Sequence, residues 1–145
     1  MSKKLLNPSR SLSFFGALTL SIGFLQAADL TWDTSTGNWS WDTVTANWID
    51  SGSASSAWIN DSTANFNDAT GGIITISSGI TTSGVTIAAG VWEFAGATLG
   101  GTNGLNIANG TELTLNGAGM TYTGDTTVDG ILKLGASSST GLAFR

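Results

Sequence analysis

The side chains that most often carry catalysis are scarce in this 145-residue chain. It contains no histidine and no cysteine, and Asp125 and Asp129 are its nearest approach to a catalytic carboxylate pair. Without imidazole or thiol, Ser-His and Cys-His nucleophiles and the usual zinc sites are excluded. Paired carboxylates can act as acid and base, but aspartates that flank a short strand more often form turns. We therefore predict a non-enzyme without a cofactor, in which both residues are turn residues.

Calcium is the second chemistry to consider, because oxygen-bearing side chains gather in the segment 60–68. Its candidate ligands are Asp61, Asn65, Asn67 and Asp68. Their spacing is not that of an EF-hand loop. A second segment, "GGTNGLNI" (100–107), is one residue too long for the calcium-binding nonapeptide and has Asn in place of Asp. We predict a solvated acidic loop at 60–68 and assign no metal site.

Five tryptophans lie between residues 32 and 58, and the first four of them belong to a repeat. "WDTSTGNW", which begins at Trp32, returns as "WDTVTANW" nine residues later. One interpretation is a cap, in which bulky rings cover the open edge of a stacked β-structure. The alternative is a platform that stacks on sugar rings, since exposed tryptophan is costly unless it binds something. We favour the cap. The candidates for glycan stacking are Trp32, Trp39, Trp41, Trp48 and Trp58, with Trp92 further along.

These side chains must be positioned by β-structure. No window has the apolar spacing of an amphipathic helix, whereas short runs of aliphatic residues and threonine, bounded by Gly and Asn, are typical of strands. The predicted strands are 73–77, 84–88, 91–95, 105–108, 113–116, 126–128 and 131–134. The fold class is therefore all-β.

The density of glycine selects the architecture within that class. Sixteen of the twenty glycines lie at or beyond Gly71. Frequent glycine corners between very short strands favour a β-solenoid, and about 20 residues per turn would give three to four turns. Stacking sets like residues above one another, so outward ladders of Thr and Asn are expected. In 113–135 we predict Leu115, Val128 and Leu134 inward, Lys133 outward, and Gly124 and Gly130 at corners.

The first 27 residues have the composition of a secretory signal peptide. A basic start with Lys3, Lys4 and Arg10 precedes an uncharged run of fourteen residues, 12–25, and Ala27 follows as a small residue. Cleavage after Ala27 and cleavage after Ala28 are not separated by the sequence, and an uncleaved anchor is the alternative. The predicted organisation is a signal peptide at 1–27, a Trp- and Asn-rich cap at 28–70 and a solenoid at 71–145.

Removal of the signal peptide would leave an acidic chain. Only Lys133 and Arg145 then remain against all ten acids, a net charge of −8. Nucleic-acid phosphates and anionic lipids need clustered Lys or Arg, so neither is an expected partner. Later residues contain no apolar run long enough for a transmembrane helix.

The segment "LTLNGAGMTYTGDTTVDGILKLG" (113–135) resembles the autotransporter-associated β-strand repeat, also called the passenger-associated transport repeat. The matching positions are Leu113, Leu115, Gly117, Ala118, Thr121, Tyr122, Thr123, Gly124, Thr126, Thr127, Val128, Gly130, Leu132 and Leu134. Gly119-Met120 stands in place of one Asn, Asp125 in place of a Gly, and the turn at 129–130 is one residue short. Upstream, Trp32, Trp39, Trp48 and Phe66 are similar to the segment that often precedes such repeats.

The resemblance implies the first part of a right-handed β-helix passenger, or a truncated one, that is exported and displayed on a Gram-negative-type envelope. Such repeats serve export and scaffolding and carry no catalysis, so the leading hypothesis is a structural or adhesin-like scaffold. Its expected partner is an extracellular polysaccharide or a cell surface, and open solenoid edges would allow end-to-end association. Carbohydrate binding through the tryptophans is the alternative. Ice or crystal binding by a threonine ladder is a weaker third, since Thr-x-Thr recurs at no fixed spacing.

Overall fold

In a computed structural model of the chain, residues 27–135 are described, and they form fourteen β-strands and no α-helix. The strands are β1 (Asp29–Trp32), β2 (Ser40–Trp41), β3 (Trp48–Ile49), β4 (Ser55–Ser56), β5 (Ser62–Phe66), β6 (Gly72–Ile76), β7 (Thr81–Ile87), β8 (Val91–Gly96), β9 (Leu99–Gly101), β10 (Leu105–Ile107), β11 (Glu112–Asn116), β12 (Met120–Tyr122), β13 (Thr126–Val128) and β14 (Ile131–Leu134). A single 3₁₀ turn, Thr34–Thr36, follows β1.

The strands stack in parallel into a β-solenoid, which confirms the predicted fold class. One sheet runs in the order β2-β6-β8-β11-β14. The other sheet contains β1, β5, β7, β9, β10, β12 and β13. In the second sheet Ala64 is in register with Val85, and Val85 with Leu105, so one turn takes 20 or 21 residues. The coil makes about three turns.

Alternate side chains of each strand point into a continuous apolar core. The inward residues Ile74, Phe94 and Leu115 lie in register on β6, β8 and β11 and are fully buried. The outward positions of the other sheet form the expected polar ladder. Its members are Thr31, Asn65, Thr86, Asn106 and Thr127. Neutral polar side chains in such a ladder avoid the repulsion that stacked like charges would produce.

The first turn of the coil lies earlier than the change in composition at Gly71. β1 and β2, which lie inside the segment 28–70, already pair in parallel with β5 and β6. The cap is the part of that segment that departs from the parallel pattern. β3 pairs antiparallel with β1, and β4 pairs antiparallel with β3. The hairpin β3–β4 therefore covers the edge of the β1 sheet, which would otherwise present unpaired backbone groups.

The last described turn is apolar and uncovered. Leu115 is fully buried as predicted, but Val128 and Leu134 are 37% and 53% exposed. Both are in register with buried residues, Ile107 and Leu115, so they occupy inward positions of a layer that no described strand follows. Their register thus agrees with the predicted inward orientation, and both side chains are nevertheless exposed because burial in a solenoid needs a neighbouring turn on both sides. Gly124 and Gly130 lie at corners on either side of β13, as predicted.

Residues 27–135 include no helix with the length and hydrophobicity needed to cross a bilayer.

Candidate functional site

The tryptophan cluster is the most distinctive group of side chains in the described part of the chain. Trp32 and Trp41 end strands β1 and β2, and Trp48 begins β3, so the hairpin cap brings the repeated segment against the first turn of the coil. Phe66, at the end of β5, lies at the centre. It contacts five other rings, those of Trp32, Trp41, Trp48, Trp92 and Phe94, at centroid distances of 4.9 to 5.9 Å.

Phe66 was not recognised as the centre of this cluster from the sequence. Its strand reads "STANF", in which Ser62, Ala64 and Phe66 alternate inward and are all fully buried. This period-2 alternation is present in the sequence, but the neighbouring aspartates and asparagines favoured the prediction of a solvated loop. That prediction for residues 60–68 was wrong, because the inward positions of β5 are small or aromatic and complete the core.

The two halves of the repeat build the same local turn. The Asp33 carboxylate accepts a hydrogen bond from the Ser35 N–H (2.9 Å), and the Asp42 carboxylate accepts one from the Val44 N–H (2.8 Å). Asp42 also accepts from the N–H of Thr45 at 2.6 Å. An aspartate that binds the N–H two residues on closes an Asx turn. The repeat thus encodes a Trp that enters the core followed by an Asp that reverses the chain.

Most of the candidates for glycan stacking have no ring face in contact with solvent. The exposed fractions of Trp32, Trp41, Trp48 and Trp58 are 3%, 0%, 0% and 2%, and that of Trp92 is 0%. Edge-to-face and tilted contacts with ring centroids 4.6 to 4.9 Å apart hold Trp41, Trp48 and Trp58 together. The burial of these large rings supplies much of the apolar area that holds the cap on the coil.

Trp39 is the exception among the six tryptophans, since it is only partly buried. It lies over Gly72, where a Cβ atom would come within 2.2 Å of Trp39 Cζ3. Its ring also lies 6.4 Å from the rings of Trp32 and Trp92. The absence of a side chain at residue 72 creates the space that the indole fills, as aromatic residues do over glycine in other sheets. Of the candidate residues, Trp39 alone retains a surface that a sugar could contact.

The indole N–H groups differ in whether they have a hydrogen-bond acceptor. Trp92 Nε1 donates to the Ala89 carbonyl at 2.7 Å, and Trp58 Nε1 donates to Asn60 Oδ1 and the Thr81 carbonyl, both at 3.2 Å. The Nε1 atoms of Trp32, Trp41 and Trp48 and the Oδ1 atom of Asn47 are buried without a hydrogen-bond partner. A buried polar atom without a partner reduces stability. Burial of apolar area therefore stabilises the cap, and the N–H groups without a partner offset part of that stabilisation.

Two carboxylates near the cluster are held in the ionised form. The Thr34 hydroxyl, at 2.6 Å, and the Thr70 N–H lower the pKa of Asp68. Burial would raise the pKa of Asp42, but the hydrogen bonds from the N–H groups of Thr45 and Val44 and from the Thr45 hydroxyl together lower it. Both carboxylates act as acceptors that close turns.

The proposed calcium ligands are not brought together. Asp61 precedes β5 and Asp68 follows it, so the length of that strand separates them. The amide of Asn65, between them, donates from Nδ2 to the Leu30 carbonyl at 3.3 Å. Residues 27–135 contain no group of three or more acidic, histidine or cysteine side chains placed to hold a metal ion.

Asp125 and Asp129 lie at the two corners that flank β13, and both are exposed. The Asp125 carbonyl accepts a hydrogen bond from the Leu105 N–H of the preceding turn at 3.1 Å. A Cβ atom on Gly104 would come within 1.5 Å of that carbonyl oxygen, so the two stacked corners are in close backbone contact. These positions agree with the predicted role of both aspartates as turn residues.

The fold and the aromatic cluster define a capped β-solenoid. Comparison of the chain with protein-family models, with curated proteins and with solved structures gave no match in any of the three.

Proposed function

We propose that the chain is an exported, non-catalytic β-solenoid scaffold of the bacterial cell surface, of the passenger type that the segment 113–135 resembles. The observation that carries the proposal is the buried tryptophan cluster, in which the rings of Trp41, Trp48 and Trp92 are fully inaccessible. A cap of this kind stabilises the first turn of a solenoid, and solenoids need such a cap for solubility whatever they bind. The small number of charged residues and the polar Thr/Asn ladder suit a protein that acts as a spacer or presents an extended surface.

Export is tested with the full-length chain in a Gram-negative host. We expect a processed protein outside the cytoplasm, detected by fractionation and by protease access on intact cells. Leu18→Arg places a charge in the middle of the apolar run 12–25 and should abolish export, whereas Leu18→Ile keeps the run apolar and should not. Recovery of wild type with Met1 intact in the cytoplasm would contradict the proposal.

Carbohydrate binding is the second candidate, and the partial exposure of Trp39 is the observation that favours it. A sugar ring stacked on this indole would change its emission, so titration with soluble polysaccharides should shift the fluorescence of wild type. The same titration of Trp39→Ala should then be flat, and Trp39→Phe should keep part of the response. A response that survives in Trp39→Ala would place the binding elsewhere.

Any end-to-end association would use the C-terminal edge of the described coil. The hairpin β3–β4 covers the edge of the β1 sheet at the other end, whereas Val128, Ile131 and Leu134 are exposed at the last described turn. We propose that the partner in such an association is a second copy joined through this apolar edge. Sedimentation of the exported protein over a range of concentrations should detect a dimer, and Leu134→Ser should weaken it. A monomer at all concentrations would exclude the association.

A further inference from the structure

The environment of the chain changes across one peptide bond, Ala27–Ala28. Ala27 is exposed, whereas Ala28 is partly buried and packs against the apolar core. Each residue has a small side chain just before a bond that a signal peptidase could cleave, so the sequence does not choose between them. In the folded chain, the backbone contacts of Ala28 distinguish the two possible products.

Both backbone groups of Ala28 are bound to β5. Its N–H donates to Ser62 Oγ at 3.0 Å, and its carbonyl accepts from the Thr63 N–H at 2.9 Å. Ser62 is fully buried while Ala28 is in place, so removal of Ala28 would replace this hydrogen bond with solvent contact. A mature chain that began at Asp29 would lack both hydrogen bonds and the packed methyl group.

We propose that the processing bond is Ala27–Ala28 and that the α-ammonium group released there is a structural part of the first turn. This inference rests on the proposed export. Hydrolysis breaks the Ala27 C–Ala28 N bond. Water supplies the oxygen of the new Ala27 carboxylate, and the Ala28 nitrogen becomes an ammonium group.

The surroundings of Ala28 suit a positive charge. A shallow polar cavity surrounds the position, and its lining residues are Ala27, Ala28, Asp29, Asp61, Thr63 and Ser83. Two of the lining residues, Asp29 and Asp61, are acidic. A mature chain would carry only two cationic side chains, Lys133 and Arg145. The new ammonium group would therefore keep its hydrogen bond to Ser62 Oγ and gain two acidic neighbours.

The first test is the intact mass and N-terminal sequence of the exported full-length chain. We expect a product that begins with Ala28. A product that begins with Asp29 would overturn the inference and leave export standing. A cytoplasmic product that begins with Met1 would overturn both.

The second test asks whether the new amine is held, by limited labelling of the folded exported protein with an amine-reactive ester. Such a chain contains only two amines, the α-amine and Lys133, and the latter serves as an internal reference. Ser62→Ala removes the acceptor and should raise α-amine labelling relative to Lys133 by about fivefold, the factor expected for one hydrogen bond.

Ser83→Ala is the matched control. Ser83 lines the same cavity, but its hydroxyl is paired with Thr63 Oγ1 at 3.1 Å. We expect its labelling ratio to equal that of wild type. Equal ratios in wild type, Ser62→Ala and Ser83→Ala would show that the amine is not held by Ser62 and would overturn the structural role.

Discussion

Leu115 and Leu134 occupy the same register position on adjacent strands, yet Leu115 is fully buried and Leu134 is 53% exposed. The difference arises from the neighbouring layers. Leu115 lies between Phe94 on β8 and Leu134 on β14, whereas Leu134 has a described strand on one side only. Burial in this molecule is thus decided by the position of a turn along the coil as well as by the alternation of the strand.

The pair offers a direct test of this arrangement. Leu115→Ala should lower the free energy of unfolding by about 2–5 kcal/mol, since it leaves a cavity between two filled layers. Leu134→Ala removes the same atoms from an open layer and should cost less than about 1 kcal/mol. Urea midpoints of the exported protein measure both. Equal losses would show that Leu134 is as well covered as Leu115 in solution.

The strands of the glycine-rich half could be predicted because each carries its own period-2 pattern. All seven predicted runs overlap observed strands, and the 20-residue turn follows from their spacing. β9 and β12 were missed, since three-residue strands such as Leu99–Gly101 are too short to show alternation. They become strands through their parallel pairing with neighbouring turns.

The tryptophan segment could be predicted only in outline. Its repeat and its role against the first turn were visible, but the antiparallel pairing of β3 with β1 depends on the chain reversals at Asp33 and Asp42. The partial burial of Trp39 depends on Gly72, which is 33 residues away in the sequence. Contacts between residues that distant leave no local pattern in a single sequence.

Phenylalanine substitutions should separate the contribution of buried ring area to stability from that of the indole hydrogen bonds within the cluster. Trp58→Phe removes an N–H that donates to Asn60 and Thr81, whereas Trp48→Phe removes an N–H that has no partner. Both side chains are buried, so the loss of ring volume is similar. We expect Trp58→Phe to be more destabilising by about 1 kcal/mol. The comparison uses urea midpoints, and a larger loss for Trp48→Phe would contradict the assignment.

Gly72→Ala should displace Trp39. The new Cβ atom would lie 2.2 Å from Cζ3 and 2.5 Å from Cη2 of the indole, so the ring must move outward. We expect tryptophan emission at longer wavelength and stronger quenching by iodide. Gly84→Ala is the control, because its nearest neighbour would be Asn103 Cβ at an ordinary 3.5 Å. Identical spectra for the two variants would rule out the contact between Trp39 and Gly72.

Acid should weaken the turn that Asp42 closes, because the pKa of this carboxyl is lower in the folded chain than in the unfolded chain. Its net shift combines burial, which raises the pKa, with the stronger combined effect of three hydrogen bonds from Thr45 and Val44, which lowers it. A lowered folded pKa contributes stability that is present above the unfolded value, about 3.9, and is lost as the pH falls through the folded value.

Asp42→Asn keeps an acceptor oxygen but cannot ionise. Its deficit in urea midpoint relative to wild type should be constant above about pH 5 and should shrink as the pH falls below about 3.9. Asp129→Asn removes one negative charge at an exposed corner and serves as the control for the change in net charge. If the Asp42→Asn deficit persisted unchanged at pH 2, it would come from geometry alone, and the ionised carboxylate would have no part in holding the cap.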